Sequence, residues 1–179
     1  MGQRLNSFLL GLGDADWQIG VTTTDMSVGP FGIQGSLLDL EGASGKILRK
    51  NTPDKEQVFY DTVSRDETVD CSSSGTCPSG LEEPLGAIVA AVQKRNSDNA
   101  GLFRDGASLA VIILSDEDES GSTSVKDVTS AVRSAFGNRK KFSVYGIIVE
   151  PGDALCKSTQ AVQTGGSAKV GNMIDDLVA

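Results

Sequence analysis

Four consecutive acids, Asp116, Glu117, Asp118 and Glu119, stand one residue beyond the apolar run Leu109–Leu114 in the stretch SLAVIILSDEDESG. Carboxylates that converge in a small crevice repel one another, and a divalent cation relieves that repulsion. Hard oxygen donors of this kind suit Mg²⁺, Ca²⁺ or Mn²⁺. In open α/β sheets ligands sit outside the carboxyl ends of the strands, and Asp116 follows such a strand. The competing reading is a solvated acidic loop, the ordinary state of a charge run. Position at the strand end puts Asp116 level between the two readings. Glu117, Asp118 and Glu119, each taken singly, are expected to be solvent-exposed, although Asp118 adds oxygens beside Asp116.

Other chemistries are narrowed by composition. The 179 residues contain no histidine, which removes His-based acid/base catalysis, Ser-His-Asp triads and His-rich zinc sites. A net charge of -8 argues against a nucleic-acid partner, because a phosphate backbone needs a basic footprint. Cations or basic protein surfaces fit that charge better. GLGDAD (11–16) lacks the fixed Gly and terminal Glu of an EF-hand loop, and TGG (164–166) is too short for a phosphate loop. TTTD (22–25) reads as a polar strand end, and NRKK (138–141) as a helix C-terminus with dipole-favoured cations. Trp17 reads as a packing residue.

Cys71 and Cys77 flank a polar SSSGT loop, while Cys156 stands alone. Two readings stay open: a small disulfide staple on an exported protein, or two loose thiols in a cytosolic loop. The staple is favoured, since a floppy loop gains from a link and offers no packing reason for two cysteines. The start, MGQRLNSFLL, lacks the extended apolar core of a signal peptide, and no apolar run reaches membrane-spanning length.

The elements that must position these residues follow from periodicity. Leu5, Phe8, Leu9 and Leu12 share a face and predict a helix over 4–13. Strands are expected near 17–24, 46–50, 107–114 and 142–149, with a short hairpin in the Gly-rich stretch near 31–40. Thr52 and Pro53 read as the cap and first turn of a helix. Leu85, Ile88, Val89 and Val92 make the apolar stripe of the strongest helix, over 81–95. Ser124 and Asp127 have capping-box spacing ahead of a helix to 136. A short helix and a last helix close the chain. The 107–114 run is apolar throughout, the mark of a strand covered on both faces of a parallel sheet. Alternating helices and strands predict one α/β domain over 1–179, a doubly wound, mostly parallel sheet with helices on both faces.

DWQIGVTTTD, SGLEEPLGAIVAAV, SLAVIILSDEDES and FSVYGIIV, in that order, resemble the von Willebrand factor A domain of the bacterial exported type. The resemblance covers nearly the whole chain. It implies a central sheet with helices on both faces, and binding of protein ligands through a metal-ion-dependent adhesion site. The aspartate of that site's third loop matches Asp116. The second loop's threonine falls at Glu82, with Glu83 beside it, a departure from the family. The opening strand and its Asp-x-Ser-x-Ser motif have no counterpart, so the first central strand is expected to be missing. Its neighbours would then pair directly, a second copy would lend a strand, or another chain would fill the slot. An unrepaired gap would orphan buried backbone groups at roughly 1–3 kcal/mol each.

The function expected is a non-enzymatic, adhesion-type protein-binding module, exported to the periplasm or cell surface. A degenerate cation site would be formed by Asp116, Glu82 and Asp118. A homo-oligomer or strand-swapped dimer fits the missing strand. The alternatives are a metal-dependent hydrolase built on the same acids, opposed by the lack of any supported nucleophile, and a structural or assembly domain with a vestigial site.

Overall fold

A computed structural model of the chain describes residues 2–29, 31–65, 77–164 and 168–178. The elements are α1 (Gly2–Gly11), β1 (Gln18–Ile19), β2 (Leu48–Arg49), α2 (Lys55–Val63), α3 (Pro84–Gln93), β3 (Leu109–Leu114), α4 (Val125–Phe136), β4 (Phe142–Ile147), α5 (Ala154–Thr164) and α6 (Asn172–Val178). The class is mixed α/β. Cys71 and most of the loop holding it lie outside the described residues, as does Gly165–Gly166 of the TGG turn. Cys77 is disulfide-bonded and Cys156 is free.

Two separate two-stranded sheets stand where one doubly wound sheet is expected. β1 and β2 are antiparallel, with Gln18 opposite Arg49. β3 and β4 are parallel, in register from Leu109–Phe142 to Leu114–Ile147. Among the described residues β1 and β3 do not join one sheet, so direct closure of the two flanking strands is not what the chain does. Each sheet has its own core. Leu9, Trp17, Leu40, Leu48, Val58 and Phe59 gather around the first, so Trp17 is the packing residue expected. Leu85, Ile88, Ile113, Val128, Val144 and Ile174 gather around the second.

Local chemistry explains where elements start and stop. β1 is far shorter than the 17–24 strand expected, because the polar run after it is claimed by side chains. Thr22 Oγ1 donates to the Ser36 carbonyl, and Asp25 accepts the amides of Ser27 and Ser79, each at 2.9 Å. The Asp25–Ser27 bond is local, and it offers the backbone an alternative to a ladder. Only one ladder-like bond continues the strand, from the Leu38 amide to the Val21 carbonyl, so the expected hairpin near 31–40 is reduced to turns. Thr52 does not cap α2. Its hydroxyl takes the Arg49 amide instead, and the helix starts later, behind Asp54 in a left-handed conformation. α4 behaves as its spacing predicts: Ser124 and Asp127 exchange side-chain-to-backbone bonds in a complete capping box.

β3 departs from expectation on one face. Val111 and Ile113 pack with Phe142 and Val144 toward α3, α4 and α6, but Ala110, Ile112 and Leu114 are exposed. The run is apolar throughout, as a strand covered on both faces requires, yet among the described residues helices cover only one.

Candidate functional site

The parallel unit β3–α4–β4 sets the site. In such a unit the strands' carboxyl ends and the amino ends of the following helices meet at one edge, and helix amino ends carry unpaired N–H groups and partial positive charge. A carboxylate placed there is a cap before it is anything else.

Two of the four acids serve that structural purpose and a third is held in an ion pair, which corrects the expectation that they are solvated. Glu119 Oε2 accepts the Leu85 amide at 2.7 Å in the first turn of α3, a helix that begins at Pro84 with no cap from its own preceding side chain. Burial pushes the Glu119 carboxyl up, and the amides of Leu85 and Gly86 pull against that rise without cancelling it. Asp118 turns both oxygens to the Met173 amide, at 3.0 and 3.2 Å, at the start of α6. Glu117 pairs with Lys169 at 2.8 Å. All four acids are half-buried.

Asp116 and Glu82 remain. Asp116 contributes its backbone carbonyl to the Lys169 amide, at 3.0 Å, and among the described residues its carboxylate has no hydrogen-bond or ion-pair partner. Glu82 sits across the mouth on the approach to α3, where its carbonyl takes the Ser120 amide at 2.8 Å. Its carboxyl and the Ser115 hydroxyl share a hydrogen bond. Burial pushes the Glu82 carboxyl up; Ser115 draws it back, and the charges of Asp116 and Glu117 add to the rise. The structure therefore brings Glu82 and Asp116 into one electrostatic neighbourhood and sends Asp118 to a helix end. Beside them opens a cleft of about 720 Å³ lined by Asp118, Lys157, Lys169 and Asn172, among others.

The acids expected at a cation site are Asp116, Glu82 and Asp118. Asp118 is spent on the Met173 amide, and among the described residues no group of three or more acids or cysteines gathers to hold an ion.

Asp25 is a site residue whose position the chain pattern leaves undecided. Burial works against its ionisation, but the Ser27 hydroxyl and the amides of Ser79 and Ser27 outweigh it and hold its carboxyl below the usual value. It ties the segment after β1 to the approach to α3, and the Glu83 amide completes that tie through the Thr24 carbonyl at 2.9 Å. Asp25 thereby fixes where Glu82 stands.

Glu82 supplies a pH test. Its folded state holds the proton more tightly than the unfolded chain, whose glutamates titrate near 4.5. Ionisation of Glu82 thus costs stability as pH rises from the unfolded value through the raised folded one, and the loss is complete above both. Glu82→Gln is expected to melt higher than wild type at neutral pH. Below the unfolded carboxyl range that difference should disappear. Melting curves across the acid range check it, and a Glu82→Gln protein less stable at neutral pH would refute the sign.

Comparison with known proteins found no match to any family model, any curated protein or any solved structure.

Proposed function

We propose that the chain is a non-enzymatic protein-binding module whose partner places a basic side chain between Glu82 and Asp116. The observation that carries this reading is the division of labour among the acids. Glu117, Asp118 and Glu119 are committed to Lys169 and to two helix ends, while among the described residues the Asp116 carboxylate has no hydrogen-bond or ion-pair partner. A lysine or arginine arriving there would relieve the repulsion and desolvation that raise Glu82, and it would add a charge-assisted hydrogen bond. The overall charge of -8 steers basic surfaces toward the molecule. We read the wider arrangement as a doubly wound domain of the von Willebrand factor A type, supported by the parallel β3–α4–β4 unit and by Asp116 at its carboxyl edge. The disulfide at Cys77 supports export to an oxidising compartment. No helix among the described residues is long and apolar enough to cross a membrane.

The test is titration calorimetry of the whole chain with a short lysine-rich peptide and, separately, with Mg²⁺, Ca²⁺ and Mn²⁺. Wild type is expected to bind the peptide, and Asp116→Ala or Glu82→Gln to weaken it about tenfold or more, as loss of a partly buried charge pair does. Heat from a cation but none from the peptide, abolished by Asp116→Ala, would replace the basic partner with cation-dependent adhesion. Heat from neither would leave the structural or assembly role standing. Phosphatase or esterase turnover that depends on Asp116 would overturn the non-enzymatic reading.

A further inference from the structure

Among the described residues, one face of the parallel sheet carries several large exposed apolar side chains. In a parallel strand alternate side chains point to opposite faces, and the register pairs Ile112 with Tyr145 and Leu114 with Ile147. These four side chains are 47–60% exposed on one face, while Val144 and Ile113 pack into the core on the other. Scattered surface leucines need no explanation, but an apolar patch continuous across two paired strands does. Parallel strands are covered on both faces almost without exception.

The same chain carries an unused cover. α5 follows β4 directly, and its Leu155 and Val162, seven residues apart and so on one helical face, are 77% and 83% exposed. α5 carries a single charged residue, Lys157, which matches the charge depletion of interface cores. Leu155 and Val162 gain little by standing in water, and a sheet face this apolar gains little by facing it.

We infer that a second copy of this chain covers the open face: α5 of each copy lies across Ile112, Leu114, Tyr145 and Ile147 of the other, about a two-fold axis. The surfaces are sufficient in area. The six exposed side chains offer roughly 700 Å² per copy, against roughly 800 Å² per partner in a standard-size interface. A reciprocal arrangement uses both patches of both copies, so no apolar face is left to propagate a fibre. This pairing uses neither Glu82 nor Asp116 and stands or falls apart from the reading of the acidic mouth.

Sedimentation velocity of the whole chain over a range of concentrations tests it. Wild type is expected to dimerise, and more tightly with added salt, because each copy carries -8. Leu155→Glu with Val162→Glu, and separately Tyr145→Glu, are expected to weaken the dimer about tenfold or more while circular dichroism stays unchanged, since all three side chains are exposed. Mixing the helix variant with the sheet variant should restore part of the association, because one mixed contact pairs an intact helix with an intact face. A dimer that survives Leu155→Glu with Val162→Glu, or a mixture that shows no rescue, would mean the copies pack face to face or elsewhere and would overturn the proposal. A wild type monomeric at every concentration would overturn it too, and dye binding to the face, lost in Tyr145→Glu, would then assign the patch to a different protein.

Discussion

Asn99→Ala is expected to destabilise the chain by about 3–5 kcal/mol, since it strands two buried backbone groups and one part-buried group at roughly 1–3 kcal/mol each before any relaxation. Asn99 is fully buried, in the turn that follows α3. Its Oδ1 accepts the Leu37 amide at 2.9 Å, and its Nδ2 donates to the carbonyls of Gly35 and Ala91 at 2.9 and 3.0 Å. One side chain thus satisfies three backbone groups on two segments more than fifty residues apart. For a chain of this length each kcal/mol shifts the melting midpoint by roughly 2–4 °C, so the loss should be about 10–15 °C. Asn99→Asp should rescue little: it keeps the acceptor for Leu37, but it loses both donors and buries a charge. A midpoint within a few degrees of wild type would show that water replaces the amide. Thermal melts with and without denaturant decide it.

What the chain pattern made legible was local. The stripe of Leu85, Ile88 and Val92 found its buried face. Ser124 and Asp127 closed their capping box, and the apolar runs of β3 and β4 became a parallel pair. Each of these is decided by residues a few positions apart. What escaped was decided at a distance. Asn99 lies in NSDNAGLFRDG, where a polar residue reads as solvated, and nothing nearby announces that residues 35–37 fold over the end of α3. The four acids read as one unit because they are contiguous, yet they divide among Lys169 and the amino ends of α3 and α6, an allocation that only the strand–helix geometry makes. A rule was available even so: acids at the carboxyl end of a parallel strand stand where helix amino ends gather, so capping competes with metal binding there from the start. β1 failed as an eight-residue strand for the opposite reason. Thr22 and Asp25 read as a polar strand end, yet their side-chain bonds draw the backbone out of a ladder.

Gly35→Ala should be nearly as damaging, about 2–5 kcal/mol, from overpacking worth roughly 1–3 kcal/mol and a left-handed backbone worth roughly 1–2 kcal/mol. Gly35 is buried with φ at +76°, a region that L side chains rarely adopt. A Cβ there would lie 2.6 Å from the Ala91 amide nitrogen, 2.7 Å from Ala90 Cβ and 2.8 Å from the Ala87 carbonyl oxygen. Two of those atoms belong to the backbone of α3, which cannot step aside as a flexible side chain could. The segment carrying Gly35 must therefore lift away, and its carbonyl is one of the groups Asn99 holds. This shared bond makes the two substitutions interdependent. Once Gly35→Ala has moved the acceptor, Asn99→Ala has less left to lose. The double variant should cost less than the sum of the singles by about 0.5–3 kcal/mol, the range found for residues in one network. Strict additivity in a double-mutant cycle, read from denaturant midpoints, would mean that the segment moves without loosening Asn99. The hinge of the fold would then lie in the contact between Gly35 and α3 alone, and Asn99 would be holding Leu37 and Ala91 independently of it.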